Sequence, residues 1–98
     1  MFEIRYGSNG EIVCSGRLDA AQSGKAQAFM DAVDEGKTLD FSSLEYISSA
    51  GLGVLLKTHK RLMTASGGLR LINVNSHIND IFRYSGFDKL FSIETNFD

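Results

Sequence analysis

Residues 39–62 read LDFSSLEYISSAGLGVLLKTHKRL, and their hydrophobic rhythm changes partway along. Leu39 and Phe41 supply a strand over KTLDF. From Ala50 onward, Leu52, Leu55, Leu56, His59 and Met63 recur at helical spacing, with Lys57, Lys60 and Arg61 on other faces. A strand is therefore predicted to pass through the connection SSLEYISS into a helix over AGLGVLLKTHKRLMTASGG. The basic residues lie in the second half of that helix, where they complement the negative end of its dipole, and Gly67 and Gly68 close it.

Upstream, FEIRY at 2–6 alternates, so that Phe2, Ile4 and Tyr6 share one face. GSNG at 7–10 tolerates positive φ and leads into EIVCSG, which predicts a hairpin. Asp19 stands three residues before Gln22, a capping-box spacing. Ala26, Phe29, Met30 and Val33 then predict a helix from about 20 to 34, with Gly36 in the left-handed position after it. Downstream, LRLINV at 69–74 is a fourth strand, and Asn75 or Ser76 caps a third helix bearing Ile78, Ile81 and Phe82 and ended by Gly86. FDKLFSI adds Phe87, Leu90, Phe91 and Ile93 as a closing apolar segment, and the tail ETNFD is expected to fray. The order β, β, α, β, α, β, α and a terminal segment defines an α/β domain over residues 1–98, with a mixed four- to five-stranded sheet and an opening hairpin.

The bulk properties exclude several function classes. Ninety-eight residues, 43% hydrophobic and 22% charged, suit one folded core without metal or disulfide staples. The single cysteine, Cys14, cannot build a disulfide framework or a multi-cysteine zinc site, which points to the cytoplasm. A net charge of -2 offers no basic field for nucleic acid. No apolar run suits a membrane span or signal peptide, and with Pro 0 there is no proline-rich linker.

Two hydroxyl residues, Ser48 and Ser49, stand where the central helix begins, and its first turn holds Ala50, Gly51 and Gly53. Each helical glycine costs roughly 1 kcal/mol relative to alanine, so something offsets the pair. Close packing on the sheet with a Ser49 N-cap is one account. A surface left open for an anion at the helix N-terminus is the other. Enzyme readings fit poorly. GLGVLLKT at 51–58 mimics a P-loop, but Leu56 stands where the second glycine belongs. Ser49 and His59 are ten positions apart on one helix, about 15 Å, too far for a nucleophile and its base. His77 could reach Ser49, yet no GxSxG elbow surrounds that serine. His59 reads as a packing residue and His77 as a surface residue. The histidines, cysteine and carboxylates show no metal-ligand spacing, so neither metal nor cofactor is expected. Asp19, ending GRLD at a strand-to-helix junction, is the one acidic residue singled out, although N-capping alone would explain it.

GRLDA at 16–20, LDFSSLEYISSAGLGVLL at 39–56, GLRLINV and SGFDKLF together resemble a STAS domain over nearly the whole chain, and more narrowly the bacterial anti-sigma factor antagonists. The resemblance implies a single sheet with helices mainly on one face. It also implies a non-enzymatic protein that binds an anti-sigma factor serine kinase and so frees a sigma factor. Phosphorylation of one serine would switch the protein off, and a PP2C-type phosphatase would restore it. By the alignment of AGLGVLL, that serine is Ser49. Ser48 falls where the family usually carries aspartate, while Ala50, Gly51, Leu52, Gly53 and Asp19 fall on the partner surface. The alternatives are a STAS subunit of a larger signalling or lipid-transport assembly and, from another class, a small serine hydrolase or nucleotidase.

Overall fold

The structure, a computed structural model, describes residues 1–64 and 67–96. Strands β1 (Phe2–Tyr6) and β2 (Ile12–Leu18) form the expected hairpin, antiparallel from Phe2 opposite Gly16 to Tyr6 opposite Ile12. Strand and helix then alternate. A 3-10 turn (Ala20–Gln22) leads into α1 (Ser23–Asp31), followed by β3 (Lys37–Ile47), α2 (Ser49–Met63), β4 (Leu69–Val74) and α3 (Ser76–Ser85). A second 3-10 turn (Phe87–Lys89) precedes β5 (Ser92–Thr95).

The strands lie in the order β1-β2-β3-β4-β5, the last four parallel. Right-handed crossovers that step the same way across a sheet deliver their helices to the same face. That face carries Phe2, Ile12, Cys14, Leu18, Leu39, Phe41, Leu44, Ile47, Leu71 and Val74, all buried. Leu55 and Leu62 of α2, Met30 of α1 and Phe82 of α3 pack onto it, with the Phe82 ring 6.5 Å from Phe41 and 5.9 Å from Phe91. The opposite face is polar. There Arg70 pairs with Glu94, and the Arg17 guanidinium lies 4.5 Å over the Tyr46 ring.

Where three of the parallel strands end, a polar side chain starts the following helical turn. Asp19, Ser48 and Asn75 accept from the backbone N–H groups of Gln22, Gly51 and Ile78 at 3.1, 3.1 and 2.9 Å. These bonds satisfy helix donors that would otherwise lack partners. They also place three caps at the C-terminal ends of β2, β3 and β4.

Several boundaries differ from the expectations, each for a physical reason. Most of the SSLEYISS segment is strand rather than connection, because β3 runs to Ile47. It gains one residue on β2 between Val13–Asp40 and Ser15–Ser43, and another between Gly16–Leu44 and Arg17–Tyr46. These two bulges break the period of two yet keep Leu39, Phe41, Leu44 and Ile47 inward. The first helix ends at Asp31 instead of 34, its cap Ala32 is right-handed, and Gly36 is not left-handed. Arg61 of α2 takes over that closure, donating to the carbonyls of Met30 and Val33 at 2.8 Å each. Met63 is 57% exposed, and Leu62 occupies the buried position at that end of α2. The tail does not fray at 94–96. Glu94 and Thr95 belong to β5, and the Asn96 N–H donates to the Val74 carbonyl at 2.8 Å, while Phe97 and Asp98 lie outside the described residues.

One buried and one half-buried polar group set testable expectations. Thr58 is 1% exposed, and its hydroxyl has no hydrogen-bond partner among the described residues. Thr58→Val keeps the shape and removes that uncompensated group, so stability should rise by about 1 kcal/mol and Tm by several degrees. A lower Tm in thermal denaturation would contradict it. At Asp40, burial pushes the carboxyl pKa up, but hydrogen bonds from the Ser42 backbone, the Asn73 amide and the Ser42 hydroxyl outweigh this and hold it below its ordinary 3.8. The resulting stabilisation is full above that ordinary value and is lost as pH falls through the lowered one. Asp40→Asn should accordingly flatten the acid limb of the stability profile, measured by urea denaturation between about pH 2 and pH 5.

Candidate functional site

The candidate site grows from the way α2 sits on the sheet. The Ser48 N–H donates to the Leu18 carbonyl at 2.9 Å, joining the end of β2 to the residue that caps α2. Gly51 is buried one turn in. A Cβ there would stand 2.8 Å from Leu18 Cγ and 2.9 Å from Ile47 Cγ1, so only glycine lets the turn settle on the ends of both strands. Leu52 follows at 6% exposure and anchors the turn to the core.

The cap itself is Ser48, not Ser49. Ser48 has extended backbone (φ -90°, ψ 171°), its Oγ accepts from Gly51, and its carbonyl accepts from the Leu52 N–H at 2.9 Å. Ser49 is the first helical residue, one position beyond the extended φ/ψ that an N-cap needs. The two adjacent hydroxyls thereby acquire different roles. Ser48 is half-buried and committed to the helix, whereas Ser49 is exposed and its hydroxyl makes no hydrogen bond among the described residues. Ala50 is exposed beside it. An anion on Ser49 would meet the positive end of a 15-residue helix.

Asp19 reaches the same end of the sheet, directly after Leu18, whose carbonyl holds Ser48. It is half-buried and caps the 3-10 turn through Gln22, so the bland role expected of it is real. Gly53 is different from Gly51. It is exposed, and a Cβ built on it would meet nothing within 4 Å. No contact among the described residues requires glycine at that position.

A groove of about 420 Å³ opens beside the serines, between the first turn of α2 and α3. Tyr46, Ile81, Tyr84 and Ser85 join Ser48, Ser49 and Leu52 in lining it. The sequence reading did not bring α3 to the site. Ile81 and Tyr84 have helical spacing, but which strand end α3 faces follows only from the strand order.

His59 is no base for Ser49. Its Nδ1 accepts from the Leu69 N–H at 2.9 Å, which places the ring proton on Nε2, and its ring packs 4.7 Å from Phe91. His77 is exposed at the start of α3. Cys14 lies in the core, where burial foremost and the charge of Asp40 second push its thiol up to about 12, far from a nucleophile's range. Among the described residues no three His, Cys, Asp or Glu gather as a metal site, and no helix is long and apolar enough to cross a membrane.

Fold, sequence and site converge at this point on one class, a regulatory α/β module with an exposed serine at a helix start. The chain belongs to the STAS domain family, whose description "Mlab, STAS domain" matches residues 4–93, and to its anti-sigma factor antagonists. It is 37% identical over 87 residues to BtrV of Bordetella bronchiseptica, whose name provisionally assigns it as an anti-sigma factor antagonist; the match covers 84% of this chain and 75% of BtrV. An anti-sigma factor antagonist from Mycobacterium paratuberculosis shares the fold with a TM-score of 0.79 at 19% identity, over 96% of this chain and 84% of that one. SpoIIAA shares it in the unphosphorylated form (TM-score 0.75, 20% identity, 100% and 90% coverage). The Bacillus protein in its phosphorylated form does so too (TM-score 0.69, 20% identity, 100% and 93% coverage).

The two glycines of the first turn should respond oppositely to alanine. Gly51→Ala forces Leu18 and Ile47 apart and should lower stability by about 1–3 kcal/mol despite the better helix propensity. Gly53→Ala meets open space and should raise it by about 0.5–1 kcal/mol. Thermal denaturation of both variants checks the pair, and equal shifts in the same direction would refute this packing.

Proposed function

We propose that the chain, acting as one STAS domain in the cytoplasm, binds an anti-sigma factor that is also a serine kinase and thereby releases a sigma factor. Phosphorylation of Ser49 ends that binding, and a PP2C-type phosphatase restores it. One observation carries the reading: Ser49 is exposed and its hydroxyl has no hydrogen-bond partner among the described residues, while its neighbour Ser48 is fixed as the cap. The acceptor can be modified without dismantling the helix start. BtrV and SpoIIAA, the latter solved with and without phosphate, support the assignment by their likeness to this chain.

In this reading Asp19, Ser48, Ala50, Gly51, Leu52 and Gly53 form the partner-binding surface around Ser49. Ala50 and Gly53 are the exposed ones, so the partner's backbone can come close to them. Gly51, Leu52 and the two caps hold the surface in place. In this reading the chain itself is a substrate and ligand with no catalytic residue and no cofactor, and among the described residues the Ser49 hydroxyl has no hydrogen-bond partner to serve as its base.

A phosphate carries a charge of about -1.5 to -2. At the N-terminus of α2 it should be tolerated, worth about 0.3–1 kcal/mol of stabilisation. Across a docked partner the same charge must be desolvated, and an uncompensated buried charge costs about 3–5 kcal/mol. Incubation with the cognate kinase should place phosphate on Ser49 by mass spectrometry, and Ser49→Ala should abolish it. Ser49→Asp should keep Tm within a few degrees of wild type while weakening binding to the anti-sigma factor by at least about tenfold. Phosphate mainly on Ser48 would move the acceptor. Partner binding indifferent to Ser49 substitution and to phosphate would favour a non-catalytic STAS subunit of a larger assembly.

A further inference from the structure

Tyr84 is 90% exposed near the end of α3, and its ring makes no stacking contact or hydrogen bond among the described residues. Nothing in the fold needs it. Yet it forms one wall of the groove that begins at Ser49, with Leu52 and Ile47 at the floor and the half-buried Ile81 beside it. Tyrosine is among the residue types that most often anchor protein interfaces, since it brings a large ring with little conformational freedom to lose.

The charge pattern identifies the occupant. No residue lining this groove carries a charge at neutral pH. The nearest charged side chains on α3, Asp80 and Arg83, lie 3.7 Å apart and pair with each other. By contrast, the cleft on the open face of the sheet is lined by Glu3, Arg17 and Glu45. A charged side chain entering the groove beside Ser49 would lose its water with no charged lining residue to pair with and only the dipole at the start of α2 beside it, whereas an apolar one would lose nothing.

We infer that this groove seats an uncharged, apolar side chain of the anti-sigma factor, with Tyr84 as its anchor, so that the partner surface runs from the first turn of α2 onto α3. The inference rests on the reading of the chain as an anti-sigma factor antagonist and deepens it in one respect. It states why modification at Ser49 is felt so strongly: the phosphate would stand on the rim of an uncharged pocket that has to be dehydrated for the complex to form.

The test uses the full chain and the purified anti-sigma factor serine kinase that binds its unmodified form, with affinity measured by calorimetry for four variants. Tyr84→Ser should weaken binding at least about tenfold with an unchanged Tm, and Tyr84→Phe should stay within about threefold of wild type. Met63→Ser, a change to an exposed apolar residue at the far end of α2, should leave affinity unchanged. Ser49→Asp tests the underlying reading separately. Loss of binding in Ser49→Asp with wild-type affinity in Tyr84→Ser would overturn the groove and leave the antagonist reading standing. Unchanged binding in Ser49→Asp, or no anti-sigma factor kinase that binds the wild-type chain, would overturn both.

Discussion

The first turn of α2 rests on the ends of β2 and β3, and the rest of the site depends on that seat. Gly51 makes it sterically possible, because any side chain there would collide with Leu18 and Ile47. The hydrogen bond from Ser48 to the Leu18 carbonyl fixes its height, and the Ser48 cap fixes where the helix begins. Once these are set, Ser49 has one orientation available, outward at the C-terminal edge of a parallel sheet. Asp19 arrives at the same edge because it follows Leu18 directly. The position and exposure of Ser49 are thus consequences of the packing below it.

This seat also separates two roles that adjacent serines would otherwise share. A helix start offers one hydroxyl to its own backbone, and Ser48 is taken up in this way. The serine that follows is helical and has no such duty. The fold therefore tolerates change at Ser49 far better than at Ser48, where loss of the cap costs about 1 kcal/mol. With serine rather than a carboxylate in the capping position, the helix start carries no side-chain charge, and the adjoining groove is uncharged as well.

Much of the architecture was legible in the sequence because its signals are local. The hairpin turn, the amphipathic α2, a cap at Asn75 or Ser76 and a helix end at Gly86 depend on residues a few positions apart, and each appears in the structure, with Asn75 as the cap. What escaped depends on distant partners. Two bulges hid the second half of β3, since the alternation of buried residues shifts phase at each one. The end of α1 is set by Arg61, about thirty residues away, rather than by the glycine that follows it. At the site, the motif marked Ser49 and its neighbours, but the cap expected at Ser49 is Ser48, because two adjacent hydroxyls differ only in which one the end of β3 leaves extended. Ile81 was legible only as part of an apolar helix face whose destination was unknown, and no local signal singled out Tyr84.

The same topology explains how the proposed binding surface is compatible with so small a domain. All three helices cover one face, so the core is completed by Leu55, Leu62, Met30 and Phe82, well below the strand ends. The strand ends themselves have only to satisfy backbone groups, which Asp19, Ser48 and Asn75 do with short side chains. Residues above the caps are released from structural service, and Ser49, Ala50, Gly53 and Tyr84 are all exposed there. Gly53 is the most telling of these, because a helix gives up about 1 kcal/mol to keep a glycine that its own packing does not require. In the proposed function this bare backbone, the exposed Tyr84 and the Ser49 hydroxyl, which has no hydrogen-bond partner among the described residues, together form the face that a partner meets.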